Sequence, residues 1–495
     1  MLATLLQENV DRIGSRTALV HGERRLTHAA LADEVDRVAR GLLGLGVEPG
    51  DNVLLVLPNV PEFVIGLFAL GRVGAAAVLL DVASKEHELT KAFRDCSPRA
   101  VLTDRRVAGT CHAVASALGQ KTLVVTIDDV PSSAVPFHEL GADGPADLPA
   151  LPGPDTPLVY QYSSGSTGRP KRVGRTHAQC LAEARLVPET LGLSEEDATL
   201  CIVPMFHAYG LGDGMLAAIA SGAKLVLQSD AQPFLVRRQR TLELIGDEQV
   251  TMLPVVPFMV DLLASAPSTR EITGLRYCFS AGNALPAAAA EAFGARFGVP
   301  ARQLYGCTEA PSIAANLDDA PSAESVGRAF RHVELSIRGD ETDAELGPGE
   351  VGTVSVRTPV AASGYVDGSD VETFRNGWVY PGDAGRVDEE GRLTLVGRTR
   401  IFIDVVGHKV DPVEVEEVLL EHPAVREVVV VGTRTPPLDT DVVKAAVVPE
   451  EPCSERELMH FCATRLASFK VPQVVEFLDE IPRSPLGKVL RKELV

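Results

Sequence analysis

The run YQYSSGSTGRPKRV, residues 160–173, carries the densest set of groups suited to holding an anion. Ser163, Ser164, Gly165, Ser166, Thr167 and Gly168 follow a predicted strand, and Lys171 stands just beyond them. Small residues let backbone N–H groups close on phosphate oxygens, the hydroxyls add donors, and the lysine adds a cation, so the segment is suited to cradling a polyphosphate. Its order, G-x-x-G-x-P-K, matches neither G-x-x-x-x-G-K-[ST] nor G-x-G-x-x-G, which separates it from Walker and dinucleotide loops. The plain alternative is a flexible Ser/Gly linker.

Four further places bring reactive side chains together. YGCTEA, residues 305–310, sets a ring (Tyr305), a glycine (Gly306), a hydroxyl (Thr308) and a carboxylate (Glu309) within five positions, although a strand end turning into a loop reads the same way. Asp383 in YPGDAG is expected in a tight turn, where a carboxylate can accept hydrogen bonds from two vicinal hydroxyls. Lys488 follows Pro485, Leu486 and Gly487, and a lysine presented by such a turn can bridge a carboxylate and a phosphate, whereas an ordinary tail lysine is solvated. His207 in PMFHAYG follows an apolar run and is placed either to orient an acid or to pack as a core histidine. Ser280 in CFSAG lacks the leading glycine of a hydrolase elbow.

The elements that must position these groups are legible from period and punctuation. Short β-branched runs (NVLLVLP, GAAAVLL, RAVLTD, KTLVVTI, AKLVLQ, VTMLPVVP) alternate with Ala- and Leu-rich segments at helical period, which reads as α/β with mainly parallel sheets. A Pro/Gly-rich patch, ELGADGPADLPALPGPDTP, is expected to be a surface connection. After Ser336 the texture becomes that of a small β-rich region, and from about Ile401 that of a small α+β unit. That unit's strands would be REVVVVG and VVKAAVVP, and its helices PVEVEEVLLEH and ERELMHFCATRLASF. The 495 residues therefore divide into a large N-terminal domain, 1–399, and a small C-terminal one, 400–495.

Composition narrows the function classes. Apolar residues at 45% and charged residues at 23% are ordinary globular usage, which excludes a disordered or collagenous chain. A formal net charge of −20 disfavours nonspecific binding to nucleic acid or to an anionic membrane, so phosphate must be held locally. Eight dispersed cysteines without a C-x-x-C pair suggest neither disulfides nor a zinc ribbon and fit a cytoplasmic location, as does a start without a signal-peptide core. Phe63–Ala83 is hydrophobic but is interrupted by Arg72 and three glycines, and is expected to be a core helix followed by a buried strand instead of a membrane span.

Taken in order, YQYSSGSTGRPKRV, PMFHAYG, SAGNALP, YGCTEA, WVYPGDAG, GRTRIFIDVVGHKVDPVEVE and PRSPLGKVLRKEL resemble the motifs of the adenylate-forming enzymes. That superfamily comprises acyl- and aryl-CoA synthetases, peptide-synthetase adenylation domains and luciferases; the likeness spans nearly the whole chain and is nearest the acyl-/aryl-CoA ligases. The resemblance implies that Tyr305 stacks on adenine beside the turn of Gly282 and Asn283, that Gly306 belongs to the nucleotide site, and that Thr308 contacts the α-phosphate. It implies that Glu309 helps hold Mg²⁺, and that Asp383 and Arg398 meet the ribose. Lys488 matches the catalytic lysine, Arg400 the interdomain hinge, and Gly407 the glycine beside which pantetheine passes. Phe206, His207, Tyr209, Gly210, Asp213 and Ser280 would form the acyl pocket. Three positions depart from the pattern: Arg172 and Pro381 replace its usual Gly and Thr, and Arg400 replaces an Asp or Lys.

The expected function is ATP-dependent conversion of a small carboxylic acid to acyl-AMP and pyrophosphate, followed by transfer to a thiol, CoA before carrier-protein phosphopantetheine. Relatives that activate α-amino acids place Asp directly after the Phe of this motif, and His207 in that place favours an acyl or aryl acid without an α-amino group. Asp213 is expected to cap the following helix or, less directly, to meet an amino group. A noncatalytic nucleotide- or acyl-adenylate-binding protein is the alternative from another class, a luciferase-type monooxygenase shares the motifs, and an ADP-forming kinase or NTPase lacks its signature here.

Overall fold

The structure is a computed structural model, and its described residues are 2–128, 134–141, 147–163, 171–229, 232–267, 272–322, 324–339, 342–368, 373–398, 403–406, 408–434, 440–482, 491 and 494–495. The chain separates into two compact units, one of Met1–Val82, Ser97–Tyr162 and Arg172–Arg398, the other of Ala83–Cys96, Ser163–Lys171 and Thr399–Val495. The expected class, α/β with a small C-terminal α+β unit, is the one observed.

Two large sheets form the first unit's frame. In the seven-stranded sheet, Ala76–Leu79, Asn52–Val56, Ala100–Thr103 and Leu123–Thr126 run parallel, and Pro157–Ser163 joins beyond Ala76–Leu79. Lys171–Thr176 is the edge next to it. In the nine-stranded sheet, the central strands Lys224–Leu227, Ala198–Cys201, Met252–Val255, Tyr277–Ser280 and Ala301–Tyr305 are parallel, with antiparallel strands at both margins. Most positions of these inner strands are buried on both faces, as sheets covered by helices on each side require. One hydrophobic cluster takes Leu55 and Leu102 from the first sheet and Leu200, Leu225 and Leu253 from the second.

The hydrophobic stretch from Phe63 onward is the expected core helix and buried strand. Pro61 occupies the first turn of the helix Pro61–Val73, where a missing N–H costs nothing, and Gly74 ends it at φ 87°, a left-handed conformation that glycine takes without a Cβ clash. No helix among the described residues is long and apolar enough to cross a membrane. A smaller antiparallel sheet, built from Glu334–Arg338, Gly352–Arg357, Phe374–Arg375, Trp378–Val379, Asp383–Val387 and Leu393–Arg398, is the expected β-rich region.

In the second unit, Val425–Arg434 and Asp441–Pro449 pair antiparallel, and Val474–Phe477 adds a parallel third strand that the sequence reading did not identify. The helix expected over ERELMHFCATRLASF stops at Ala463, with Thr464 as its C-cap, and the chain resumes as a short 3-10 turn over Ser468–Lys470 before Pro472. Val415, Val430, Val443, Val447, Leu458 and Cys462 form its core. Within this unit Lys470 Nζ lies 2.6 Å from Glu88 of the helix Glu86–Cys96 and 2.9 Å from Glu414.

His177, at the start of the helix His177–Leu191, is fully buried, and neither ring nitrogen has a hydrogen-bond partner. Burial pushes its pKa down to about 4 from the ordinary 6.5. Between those values the unfolded chain binds a proton there and the folded chain does not, so stability is lost as pH falls from about 6.5 toward about 4, by up to about 3 kcal/mol. Melting temperature measured across that range should therefore fall with acidification, and His177→Leu should flatten the slope whatever its effect at neutral pH. An identical slope in the variant would exclude His177 as a source of the acid sensitivity.

Candidate active site

The residues of YGCTEA lie where the last parallel strand of the nine-stranded sheet runs out. Tyr305 ends the strand Ala301–Tyr305. A tight turn follows, closed by the Cys307 N–H on the Ala310 carbonyl at 3.1 Å and by the Ala310 N–H on Cys307 Sγ at 3.3 Å. A Cβ on Gly306 would stand 2.7 Å from the Ser312 backbone nitrogen, so the turn needs a glycine there. Thr308 is half-buried within this turn. Glu309 is buried, and Tyr365 donates its phenol to Glu309 Oε1 at 2.7 Å. Tyr365 in turn is bridged to Val173, on the strand that leaves the Ser/Gly segment. Tyr365 was not among the expected site residues; its signal is a lone tyrosine between small residues in ASGYVDG.

Tyr305 and Asp383, expected on one nucleotide, are joined directly. The Tyr305 hydroxyl donates to Asp383 Oδ2 at 2.6 Å, and both residues are buried, Asp383 to 2% exposure. Asp383 is not in the middle of a turn, as the sequence suggests; it opens the strand Asp383–Val387, directly after Gly382 at φ 83°. Its cross-strand partner in register is Arg398, the other residue assigned to the sugar, whose side chain lies outside the described set. Gly282, at φ 95°, makes the left-handed turn after the strand Tyr277–Ser280, and exposes itself and Asn283.

The residues expected on the acid side gather around PMFHAYGLGDGML. His207 is exposed, with its ring tilted against Phe206 at a centroid distance of 4.1 Å, so it is not a packed core histidine. The half-buried Tyr209 donates its phenol to the Phe279 carbonyl at 2.6 Å, and burial pushes its own pKa up. Gly210–Leu216 forms a π-helical turn, a rare geometry that recurs at functional sites. Asp213 lies inside that turn, 1% exposed, and neither caps the following helix nor reaches solvent. Ser312 Oγ donates to its carboxyl at 3.1 and 3.2 Å from the two oxygens, and burial followed by the charge of Glu183 holds the Asp213 carboxyl well above the usual carboxylate range. The helix-cap assignment is thus incorrect, because the wide turn rotates Asp213 into the interior. Ser280 is fully buried with no hydrogen-bond partner for Oγ, so no base activates it.

Ser163 ends its strand and Lys171 opens the next, both buried. Arg172 sits in ordinary strand backbone and places its guanidinium over the Tyr160 ring at 4.8 Å, so the glycine it replaces is not needed there for a left-handed conformation. Ser164, Gly165, Ser166, Thr167, Gly168, Arg400, Gly407 and Lys488 lie outside the described residues. Among the described residues no group of three or more His, Cys, Asp or Glu side chains could hold a metal ion.

Parallel sheets flanked by helices, a buried Tyr–Asp couple and a separate small C-terminal unit are the frame of an α/β enzyme with a C-terminal module. The chain belongs to the AMP-binding enzyme family, which matches residues 6–366, and the AMP-binding enzyme C-terminal domain matches residues 414–488. It is 34% identical over 491 residues to a feruloyl-CoA synthase of Amycolatopsis sp., covering 97% of this chain and 95% of that one. Among solved structures, an o-succinylbenzoate CoA synthetase from Bacillus subtilis bound to a product analogue superposes with a TM-score of 0.86 at 28% identity, over 99% of this chain and 98% of that one. An amide bond synthetase from Marinactinospora thermotolerans superposes with a TM-score of 0.87 at 26% identity, over 100% and 98%.

Tyr305→Phe keeps the ring and deletes the donor to a buried carboxylate, which should cost about 1–3 kcal/mol of stability. With Asp383 no longer oriented, the KM for ATP should rise about tenfold, equivalent to ~1.4 kcal/mol, while the KM for the acid stays unchanged. Steady-state kinetics that leave ATP unaffected would remove the Tyr305–Asp383 couple from the nucleotide site.

Proposed function

We propose that the chain activates an aryl or other acyl acid without an α-amino group, using ATP and Mg²⁺, and passes the acyl group to CoA. The chain is an AMP-forming acid–thiol ligase of the acyl-CoA synthetase type. The observation that carries the detailed reading is the Tyr305–Asp383 hydrogen bond beside the Glu309 turn, because it gathers a ring, a ribose-type acceptor and a metal-type carboxylate at one strand end. The feruloyl-CoA relative and the succinylbenzoate CoA synthetase support an aryl acid and CoA. Transfer to a carrier-protein phosphopantetheine is the alternative thiol, and the amide bond synthetase supports testing an amine as acceptor. Eight free cysteines fit a reducing, cytoplasmic setting.

In this reading the adenine lies against Tyr305 and the turn of Gly282 and Asn283, and the ribose hydroxyls donate to Asp383, with Arg398 on the paired strand. Ser163, Ser164, Gly165, Ser166, Thr167, Gly168 and Lys171 receive the phosphates. The acid enters beside Phe206, His207, Tyr209, Gly210, Asp213 and Ser280, and its carboxylate oxygen attacks the α-phosphorus while pyrophosphate leaves. Thr308 and Lys488 donate to the oxygens on which negative charge accumulates.

Mg²⁺ fits the residues present: a single oriented carboxylate, Glu309, suits an ion that keeps most of its ligands as water and nucleotide phosphate. When bound, it would neutralise phosphate charge. We assign residues 1–399 to the nucleotide-binding domain and 400–495 to a mobile one that turns about Arg400. That rotation would exchange Lys488, needed for adenylation, for the Gly407 segment, beside which pantetheine passes.

The two half-reactions can be separated. Lys488→Ala should lower ATP–pyrophosphate exchange at least about a hundredfold, the scale of lost charge stabilisation, yet still convert supplied acyl-AMP and CoA to thioester. Gly407→Leu should do the reverse, since a side chain there obstructs the thiol arm without touching ATP. Equal damage to both halves in either variant contradicts the alternating arrangement, and faster exchange with an α-amino acid than with its amine-free counterpart contradicts the substrate class.

A further inference from the structure

A polar cluster lies in the first unit that the proposed chemistry does not use. Arg175, 1% exposed, and Glu183, 0% exposed, form an ion pair between the strand Lys171–Thr176 and the helix His177–Leu191. The helix start between them is fixed by a reciprocal cap, Thr176 Oγ1 accepting from the Gln179 N–H and Gln179 Oε1 from the Thr176 N–H. Arg175 Nη2 also donates to Gln161 Oε1 at 2.8 Å, and Gln161 Nε2 donates to the Phe206 carbonyl at 2.7 Å. Gln161 is on the strand that leads into the Ser/Gly segment and Arg175 is on the strand that leaves it. The cluster therefore runs from both flanks of that segment to the residue next to His207.

Its other arm reaches the π-turn. Glu183 Oε1 has no hydrogen-bond partner, and a Cβ on Gly212 would stand 1.9 Å from it. The carboxylate thus lies directly against the backbone of the turn that carries Asp213, and Asp213 is tied in turn to Ser312, six residues after Gly306 and held at φ 54°. A buried ion pair is a poor stabiliser, because desolvating two charges offsets their attraction, and an apolar pair of similar volume is often as stable or more so. An unpartnered carboxylate oxygen adds to the cost. The arrangement calls for a role other than stability.

We propose that Arg175, Glu183 and Gln161 are positioning residues for the acid-binding wall, holding the Phe206–His207 segment and the Gly210–Leu216 turn in register with the strands that flank the phosphate segment, and so determine which acids are accepted. The proposal rests on the acid-activating function given above. The three residues touch no substrate; they act through the Phe206 carbonyl and the Gly212 backbone.

The test uses the full chain and ATP–pyrophosphate exchange with an arylalkenoic, an arylacetic and a short aliphatic acid. Arg175→Met/Glu183→Met replaces the pair by apolar side chains, and should keep or raise the melting temperature. The KM for the preferred acid should rise about tenfold and discrimination among the three acids should shrink at least fivefold, with the KM for ATP within twofold of the parent. Gln161→Leu, which cuts the arm to Phe206 and leaves the ion pair in place, should give the same split to a smaller degree, and decides the matter if the double variant does not fold. Unchanged acid KM and selectivity, or a fall in stability with acid and ATP constants moving together, marks a structural pair and overturns the proposal. Absence of exchange by the parent with every acid would instead overturn the acid-activating function, and this proposal with it.

Discussion

The part of the candidate site that we propose holds the nucleotide depends on one buried hydrogen bond, from the Tyr305 hydroxyl to Asp383. A carboxyl group taken from water is costly unless its oxygens are satisfied, and Tyr305 meets part of that demand from the end of another sheet. The bond therefore ties the strand that begins at Asp383, in the antiparallel sheet, to the end of the strand Ala301–Tyr305 of the nine-stranded sheet. Tyr305, Ile313, Val354, Val379 and Leu393 close around it as one apolar cluster. Because Arg398 is paired to Asp383 in register, the same bond sets where the outgoing strand presents its arginine backbone before the chain passes to the C-terminal unit.

The wall that we propose meets the acid obeys a different constraint, close backbone approach. Gly212 has a carboxylate where a side chain would be, and a Cβ on Gly210 would stand 2.2 Å from the Pro204 carbonyl oxygen. Residues with a Cβ at these two positions would not fit on this backbone, and the wide π-turn places Asp213 inward toward Ser312. Polar groups in this region are shared among elements distant in sequence: Gln161 with Phe206, Tyr209 with Phe279, Asp213 with Ser312. Such sharing gives a wall whose position is set by several strands at once, and the Glu309 turn is anchored to the strand Lys171–Thr176 through Tyr365 and Val173.

What was legible in the sequence is what local chemistry determines. The parallel strands read as β-branched runs and the core helix and buried strand as the hydrophobic stretch from Phe63, while Tyr305 and Asp383, from two separate motifs expected on one nucleotide, are hydrogen-bonded to each other. What was not legible depends on three-dimensional partners. Asp213 directly follows Gly212, and nothing in its neighbours announces a π-turn in place of a helix cap. Arg175 and Glu183, eight residues apart on different elements, look like solvated charges until the fold buries both. Val474–Phe477 alternates too briefly to signal a strand and gains its ladder from Asp441–Pro449. The helix Glu86–Cys96, read with the N-terminal part, holds its Glu88 against Lys470, nearly four hundred residues on.

The central claim is that the acid passes through a mixed anhydride with AMP. Supplying the protein with ATP, CoA and an arylalkenoic acid carrying ¹⁸O in both carboxyl positions, and weighing the products by mass spectrometry, tests it directly. Attack of a carboxylate oxygen on the α-phosphorus followed by thiol attack on the carbonyl leaves one ¹⁸O in AMP and one in the acyl-CoA, with pyrophosphate unlabelled. Unlabelled AMP, or ADP and phosphate in its place, would contradict the account.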